Sequence, residues 1–299
     1  MALRLPGLLA IEGMARAQVE ALLDRAAQLE RGPDASRPLA GKVVANLFFE
    51  DSTRTRSSFE IAAKRLGAEV LNWTTRGSSV SKGETLLDTV RNIDAMGPHA
   101  IVMRHSSSGS AALAARHARA AVVNAGDGTH EHPSQALLDA FTLRRHLGPL
   151  EGKRILIVGD ILHSRVARSN LRCLRLLGAR VAFCGPPTLV PPEMAQAGAE
   201  VGFDLDRALE GADAVMMLRV QLERQAEAAF PSAREYGRLW GMTQARADRL
   251  PPDVKVLHPG PMNRGVEIAT QVADGPRSVI LEQVHHGVAV RMAVLEACA

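Results

Sequence analysis

The sequence predicts an α/β protein built as two doubly wound parallel-sheet domains with an interdomain cleft. Its length of 299 residues is enough for two domains of ordinary size. Short apolar runs rich in β-branched residues alternate with segments of helical periodicity along the chain, a pattern typical of parallel strands joined by helices. No apolar stretch approaches the about 20 residues of a membrane-spanning helix, so we expect no membrane partner.

The first half of the chain supplies one series of alternating elements. Apolar residues at helical spacing predict an amphipathic helix over residues 14–31, and the run KVVANLFF predicts a buried strand over 42–49. The period becomes helical over 52–66, where Ser52 and Thr53 are N-cap candidates. Further strands are predicted at 69–73, 100–104 and 121–124, separated by helices at 83–96 and 110–119.

A second series follows a long helix predicted over residues 135–147 and a Gly-Pro break at 148–149. It comprises strands at 154–160, 179–185, 214–218 and 255–257, a helix at 164–177 and a Pro-rich turn at 186–192. We therefore predict one domain over residues 1–132 and another over 133–285. The C-terminal helix, over 286–299, is expected to pack back on the first domain.

The charge balance argues for a small anionic substrate and against nucleic acid. Lys and Arg total 36 against 32 Asp and Glu, giving a net charge of +4, but the basic residues are scattered along the chain. Aromatic residues make up only 3%. The concentrated cationic face and the stacking platforms of nucleic-acid-binding proteins are therefore not predicted.

The cysteines and the N-terminus predict a cytoplasmic protein. Cys173, Cys184 and Cys298 lie far apart and form no CxxC pair, which favours reduced thiols and no zinc site. The short apolar stretch near the N-terminus is interrupted by Pro6 and followed by Glu12, so no signal peptide is predicted.

An anion site is predicted where the strand over 42–49 meets the following helix. A helix N-terminus offers unpaired N–H groups and the positive end of the helix dipole, which suits phosphate. Three hydroxyls and two guanidiniums add donors there: Ser52, Thr53, Arg54, Thr55 and Arg56. The alternative is an ordinary cap with two exposed arginines. No GxxxxGK[ST] loop is present, so a nucleoside triphosphate is not indicated.

Other polar groups are expected at the same edge of the first sheet. Arg104 ends one predicted strand, and the segment 128–135, with His132 and Gln135, follows another. His130 and His132 are a weak metal pair, and a neutral histidine donating to an oxygen fits better. The polar loop containing Ser78 and Lys82 reads either as a solvated linker or as a substrate lid.

The second half repeats the arrangement with fewer donors. Arg165 and Arg219 follow two predicted strands and could clamp two carboxylates, or each could be a surface arginine. The segment 159–165 lacks the GxGxxG fingerprint, so a dinucleotide is only weakly indicated. The turn His-Pro-Gly-Pro over 258–261 could present backbone carbonyls to a ligand or be a simple turn.

Seven of these segments, taken in order, resemble the catalytic chains of the aspartate carbamoyltransferase family. They are FFEDSTRTRSSFE, SVSKGETLLDT, VMRH, HPSQALLD, GDILHSRVARSN, RVQLER and HPGPMNRGVEI, and they are spread over residues 48–268, most of the length of the chain. The resemblance implies transfer of a carbamoyl group from carbamoyl phosphate to L-aspartate in pyrimidine biosynthesis. It also implies homotrimers with active sites at subunit interfaces, without a cofactor or a metal. The first domain would bind carbamoyl phosphate and the second aspartate.

The resemblance also implies roles for individual residues. Ser52, Thr53, Arg54 and Thr55 would bind the phosphate, and Arg104, His132 and Gln135 the carbamoyl end, with Thr55, Arg104 and His132 facing its carbonyl oxygen. Ser78 and Lys82 would come from the neighbouring subunit, with Lys82 touching both substrates. Arg165, Arg219 and Gln221 would bind the aspartate carboxylates, and the backbone of Gly260 and Pro261 the carbamoyl amide. By the same resemblance, the catalytic residues would be Arg54, Thr55, Lys82, Arg104 and His132.

Ornithine carbamoyltransferases share some of these motifs, but they typically carry a cysteine in an HCLP motif where this chain has HPGP. Gly260 replaces a leucine of some members and Ser134 a threonine, and neither change removes a backbone carbonyl or a hydroxyl. A catalytically silent paralogue would be expected to lose motif residues, which are present here. The sequence leaves open whether regulatory or dihydroorotase partner chains associate.

Overall fold

The computed structural model describes residues 3–31, 36–74, 83–220 and 232–299. Within it the chain divides into two units, one formed by Met1–Phe141 with His285–Ala299 and the other by Thr142–Val284. Each unit contains one five-stranded sheet in which every strand pair is parallel. The predicted class, two doubly wound parallel-sheet α/β domains, is confirmed.

The sheet of the first unit has the strand order β1-β5-β4-β2-β3. Its strands are β1 (Gly7–Leu8), β2 (Val43–Phe48), β3 (Glu69–Thr74), β4 (Ala100–His105) and β5 (Ala121–Asp127). The helices are α1 (Arg16–Leu29), α2 (Thr53–Arg65), α3 (Leu86–Ala95), α4 (Ser110–Ala115) and the first part of α5 (Pro133–Leu147). Strand β2 is apolar and almost wholly buried, as expected of a strand covered on both faces.

The chain winds outward from β2 in both directions, first to β3 and then back past β2 to β4 and β5. With right-handed crossovers, this reversal puts helices on both faces of the sheet. The reversal also creates a switch point between β2 and β4. Ligands of open α/β sheets bind at the carboxyl ends of strands beside such a point.

The sheet of the second unit has the order β10-β9-β6-β7-β8, with the same reversal between β6 and β9. Its strands are β6 (Arg154–Val158), β7 (Arg180–Cys184), β8 (Glu200–Gly202), β9 (Ala214–Met217) and β10 (Lys255–Leu257). The helices are α6 (Arg165–Leu176), α7 (Leu205–Ala208), α8 (Ala233–Trp240), α9 (Gln244–Arg249), α10 (Thr270–Ala273) and the start of α11 (Ile280–Cys298), with a 3-10 helix at Pro192–Ala195.

The C-terminal part of α11 belongs to the first unit and contacts α1 through side chains. Arg25 forms an ion pair with Glu296 at 2.7 Å, and His286 Nε2 lies 3.0 Å from a carboxylate oxygen of Glu30. The helix begins at Ile280, six residues before the predicted limit at 286. In the part of the chain that the structure describes, no helix is both long and apolar enough to cross a membrane.

Candidate functional site

The N-terminus of α2 follows β2 at the switch point of the first unit. Ser52 is the N-cap residue, but its hydroxyl accepts no capping hydrogen bond, and the first turn contains no acidic residue. Thr53 and Arg54 are exposed, whereas Thr55 is buried. A helix N-terminus with arginines and no acidic residue in its first turn suits an anion. This favours the anion-site interpretation over an ordinary serine cap.

Arg104 lies on β4, beside the end of β2. Its register partner is Phe48, and its carbonyl accepts a hydrogen bond from the Phe49 backbone N–H at 2.9 Å. The guanidinium Nε lies 3.3 Å from a Glu50 carboxylate oxygen, and Nη1 donates to the Ala125 carbonyl at 3.4 Å. Glu50 therefore holds the arginine at the carboxyl ends of the strands. Glu50 is not among the site residues predicted from the sequence.

His132 and Gln135 lie at the junction of β5 and α5, and both are buried. The His132 carbonyl accepts from the backbone N–H groups of Gln135 and Ala136, so it starts the helix. The Gln135 side-chain Nε2 donates to an Asp139 oxygen at 2.9 Å. Asp139 thereby orients the Gln135 amide, through a contact that motif spacing alone did not suggest.

A buried carboxylate, Asp127, organises the loops around these strand ends. It accepts hydrogen bonds from the Gly109 backbone N–H at 2.7 Å and from the Asn124 amide at 2.8 Å. Nearby, His105 Nδ1 accepts from the Ser107 backbone N–H at 2.9 Å, so the His105 ring carries its proton on Nε2 and is neutral. Burial agrees with this, since it lowers the pKa of His105 below the usual value.

Glu12, His130 and Glu131 each offer one potential metal-ligand atom, and these atoms lie within 4.8 Å of one another. The Glu131 carboxylate already accepts from the backbone N–H groups of Ile11 and Glu12, at 2.9 and 3.3 Å. His130 Nδ1 lies 3.1 Å from Asp127. These protein contacts account for the cluster.

In the second unit, Arg165 occupies the first position of α6, after β6, and is buried. Ser164 caps this helix, its hydroxyl accepting from the Ala167 backbone N–H at 3.1 Å. The turn between β6 and α6 begins at Gly159, whose φ is +135°. A Cβ at Gly159 would lie 3.0–3.1 Å from Leu218, so the glycine permits the end of β9 to approach closely.

Arg219 follows β9 and is half-buried. Its Nε lies 3.5 Å from the side-chain oxygen of Asn263. Asn263 in turn donates from Nδ2 to the Val220 carbonyl at 3.0 Å. Asn263 lies within the motif HPGPMNRGVEI but is not among the site residues predicted from the sequence.

The turn over residues 258–261 follows β10. Gly260 has φ +67°, a left-handed conformation that favours glycine, and the Gly260–Pro261 peptide bond is cis. His258 anchors the turn: its Nδ1 accepts from the Gly260 backbone N–H at 2.8 Å, and its Nε2 lies 3.2 Å from a Glu267 oxygen. The turn is therefore held by a histidine and a carboxylate that are both buried.

In both units the predicted site residues that the structure describes lie at the carboxyl ends of adjacent strands. In the first unit the residues follow or end β2, β4 and β5, which are adjacent strands; in the second they follow β6, β9 and β10, also adjacent. Each set thus lies at the carboxyl edge of its own sheet, beside the switch point. Ser78, Lys82 and Gln221 lie outside the residues that the structure describes.

This fold, with cationic side chains at both carboxyl edges, is typical of α/β proteins that bind anionic ligands beside a switch point. Residues 7–145 match the family described as aspartate/ornithine carbamoyltransferase, carbamoyl-P binding domain. Residues 151–298 match the aspartate/ornithine carbamoyltransferase, Asp/Orn binding domain. The chain belongs to the aspartate/ornithine carbamoyltransferase family, as its motifs predict.

Individual relatives agree with the family match. The aspartate carbamoyltransferase catalytic subunit of Myxococcus xanthus is 68% identical over 292 residues, covering 97% of this chain and 98% of the relative. That of an Anaeromyxobacter strain is 56% identical, covering 96% and 93%. A crystal structure of aspartate transcarbamoylase from Trypanosoma cruzi, in complex with carbamoyl phosphate and aspartate, is 31% identical and superimposes with a TM-score of 0.88, covering 99% and 97%.

Proposed function

We propose that the protein transfers the carbamoyl group of carbamoyl phosphate to L-aspartate, giving N-carbamoyl-L-aspartate and phosphate, in de novo pyrimidine biosynthesis. The observation that carries this proposal is the match of the two halves to a carbamoyl-P binding domain and an Asp/Orn binding domain. The cationic strand ends of both sheets support it. The names of the relatives support aspartate as the acceptor.

In this proposal the first unit binds carbamoyl phosphate. Residues 52–55 bind the phosphate through the N-terminus of α2, the hydroxyls and the Arg54 guanidinium. Arg104, His132 and Gln135 bind the carbamoyl end. The ion pair of Arg104 with Glu50 supports this role, since it keeps the guanidinium at the strand ends. Ser78 and Lys82 complete the site from a neighbouring subunit.

The second unit binds aspartate through Arg165, Arg219 and Gln221, and its Gly260–Pro261 backbone receives the carbamoyl amide. Two guanidiniums suit a dicarboxylate, because each can donate two parallel hydrogen bonds to a carboxylate. They do not suit the side-chain ammonium of ornithine. The domain assignments, carbamoyl phosphate to residues 1–132 and aspartate to 133–285, are part of the same proposal, in which Gln135 and the Gly260–Pro261 backbone bind the carbamoyl end from within the second range.

The chemistry needs only positioning and charge stabilisation. The deprotonated amine of aspartate attacks the carbonyl carbon, and negative charge develops on the carbonyl oxygen of a tetrahedral intermediate. Collapse of the intermediate breaks the C–O bond to phosphate, which leaves as inorganic phosphate, and the attacking nitrogen releases one proton. Thr55, Arg104 and His132 donate to that oxygen, each donor contributing about 3 kcal/mol in comparable oxyanion sites. The several cations offset the repulsion between two anionic substrates held in contact.

The assembly is a homotrimer with active sites at subunit interfaces, and the protein acts in the cytoplasm. The family membership and the polar loop with Lys82 support the trimer. Regulatory or dihydroorotase chains are candidates for further association, and sizing chromatography of the purified chain with and without them tests this.

Acceptor choice tests the proposed function. Purified protein given carbamoyl phosphate should form a carbamoyl amino acid with L-aspartate and essentially none with L-ornithine, because Arg165 and Arg219 repel the ornithine ammonium. A colorimetric assay of the carbamoyl product measures both acceptors under identical conditions. Ornithine turnover equal to or above that with aspartate would refute the assignment.

The change Arg219→Ala should raise KM for aspartate by about tenfold or more, since a lost hydrogen bond to a charged group corresponds to at least that factor. Equilibrium binding of carbamoyl phosphate, measured by calorimetry, should persist, because the proposed phosphate site lies in the other unit. The exposed Arg249, which pairs with Asp206, offers the control Arg249→Ala. If Arg219→Ala, but not the control, weakened the binding of aspartate and of carbamoyl phosphate equally, the assignment of the two substrates to separate units would be contradicted.

A further inference from the structure

A chain of hydrogen bonds in the second unit joins two features that the proposed function uses separately. It begins at Gly260, whose N–H donates to His258 Nδ1 at 2.8 Å. His258 Nε2 then lies 3.2 Å from Glu267 Oε1. The same Glu267 oxygen accepts from the backbone N–H of Asn263. The chain ends where the Asn263 side-chain oxygen lies 3.5 Å from Arg219 Nε.

The proton positions along this chain are determined by its donors. Because the Gly260 N–H donates to His258 Nδ1, that nitrogen must be the acceptor, and the proton of a neutral ring lies on Nε2. His258 therefore donates to Glu267. The carboxylate thus receives two N–H groups on one oxygen, and both side chains are fully buried.

The amide of Asn263 is oriented from two sides. Its Nδ2 donates to the Val220 carbonyl at 3.0 Å, directly after Arg219 in the chain. The other end of the amide, Oδ1, consequently faces the Arg219 guanidinium. Asn263 therefore contacts the segment after β9 through both its polar atoms, while its backbone is held by Glu267.

Fixing a turn with a buried carboxylate carries a large desolvation penalty. Taking a charge out of water costs several kcal/mol, and well-packed apolar residues often give equal or greater stability. A purely structural turn has no need of Glu267. A carboxylate that binds both His258 and Asn263, however, holds two separate segments in one geometry.

We propose that Glu267 and Asn263 are positioning residues that hold Arg219 and the Gly260–Pro261 backbone in one fixed arrangement, so that the aspartate carboxylate and the carbamoyl amide are bound in register. This inference rests on the proposed function, in which those two features contact the two substrates. Misplacement of reacting groups by about 1 Å can lower a rate about 100-fold, so a rigid link between the two features contributes to catalysis without touching either substrate.

The test uses steady-state kinetics of the full-length protein with both substrates varied. In Asn263→Ala, KM for aspartate should rise about tenfold, since Arg219 loses an oriented partner. KM for carbamoyl phosphate should stay within about twofold of the wild-type value. In Glu267→Ala, both KM values should rise and kcat should fall, because the turn and Asn263 are released together. Glu267→Gln, which keeps an acceptor oxygen, should recover most of the lost activity.

The double variant Asn263→Ala/Glu267→Ala tests whether the two residues act together or independently on the binding of aspartate. If Asn263 acts through Glu267, the aspartate KM of the double variant should equal that of Glu267→Ala alone. Multiplication of the two single effects would overturn the proposal, because uncoupled residues give additive free energies. The matched control is Arg264→Ala, which breaks an exposed ion pair with Asp274 in the same segment and should change neither KM.

Three further outcomes are decisive. If Glu267→Ala does not fold, as judged by circular dichroism, Asn263→Ala decides alone, and an unchanged aspartate KM there overturns the inference. Wild-type protein that forms no carbamoyl aspartate would instead refute the proposed function. Wild-type activity with unaffected Asn263→Ala and Glu267→Ala variants would refute only the positioning role.

Discussion

Replacement of Arg54 by alanine is expected to lower kcat by about 100- to 1,000-fold, the loss measured when one charge-stabilising donor is removed from comparable sites. Arg54 lies in the first turn of α2, where the helix N-terminus and the neighbouring hydroxyls form the proposed phosphate site. Because the side chain is exposed, the fold should survive. Steady-state kinetics and a thermal unfolding curve of the purified variant measure the two effects separately.

A control at the other end of the same helix isolates the effect of position. Lys64 is exposed and pairs with Glu60 at 2.6 Å, so Lys64→Ala removes a positive charge from α2 without touching its N-terminus. That variant should keep near-normal turnover. If Arg54→Ala also kept near-normal turnover, the segment over residues 52–56 would be an ordinary helix start with exposed arginines.

Reassembly of two inactive variants should restore activity. Lys82→Ala and Arg54→Ala trimers are each expected to be nearly inactive, because every site lacks one essential cation. In mixed trimers some sites combine an intact Lys82 from one subunit with an intact Arg54 from its neighbour. Only a minority of sites is completed by random mixing, so the recovery should be partial.

The controls for this experiment are each variant taken through dissociation and reassembly alone, with mixed trimers verified by mass spectrometry. Partial recovery in the mixture, and none in either control, would support sites shared between subunits. Mixed trimers as inactive as their parents would mean that Lys82 acts within its own chain.

Much of the fold was accessible from periodicity alone. Strand β10 has the predicted limits, strand β2 is one residue shorter than predicted at each end, and strand β4 extends one residue beyond its predicted end. These strands are short, apolar and buried on both faces, and such runs are distinctive between helical segments. Helix α4 ends at Ala115, four residues before the predicted limit at Arg119.

Other elements left no clear sequence signal. Strand β1 (Gly7–Leu8) has two residues, and β8 (Glu200–Gly202) has three. Each exists because it pairs with one neighbour at a sheet edge, β1 with β5 and β8 with β7. Such pairing is a tertiary contact, and a window of two or three residues carries no period from which to predict it.

In the candidate site, too, some residues were predictable from the sequence and others were not. Hydroxyls and arginines after strands were identifiable because strand ends in parallel sheets share one edge. The side chains that hold them were not: Glu50 beside Arg104, and Glu267 beside His258, are acidic residues with no distinguishing spacing. Their roles follow from burial and register, which only the folded chain defines.

The stoichiometry of a single reaction tests the central claim most directly. Purified protein is mixed with carbamoyl phosphate and L-aspartate, and N-carbamoyl-L-aspartate is measured by mass spectrometry while phosphate is measured in the same samples. The proposed function predicts that carbamoyl aspartate and phosphate form in equimolar amounts, once the phosphate formed in a control lacking protein has been subtracted. Phosphate released without carbamoyl aspartate, or no reaction with aspartate at all, would contradict carbamoyl transfer to this acceptor.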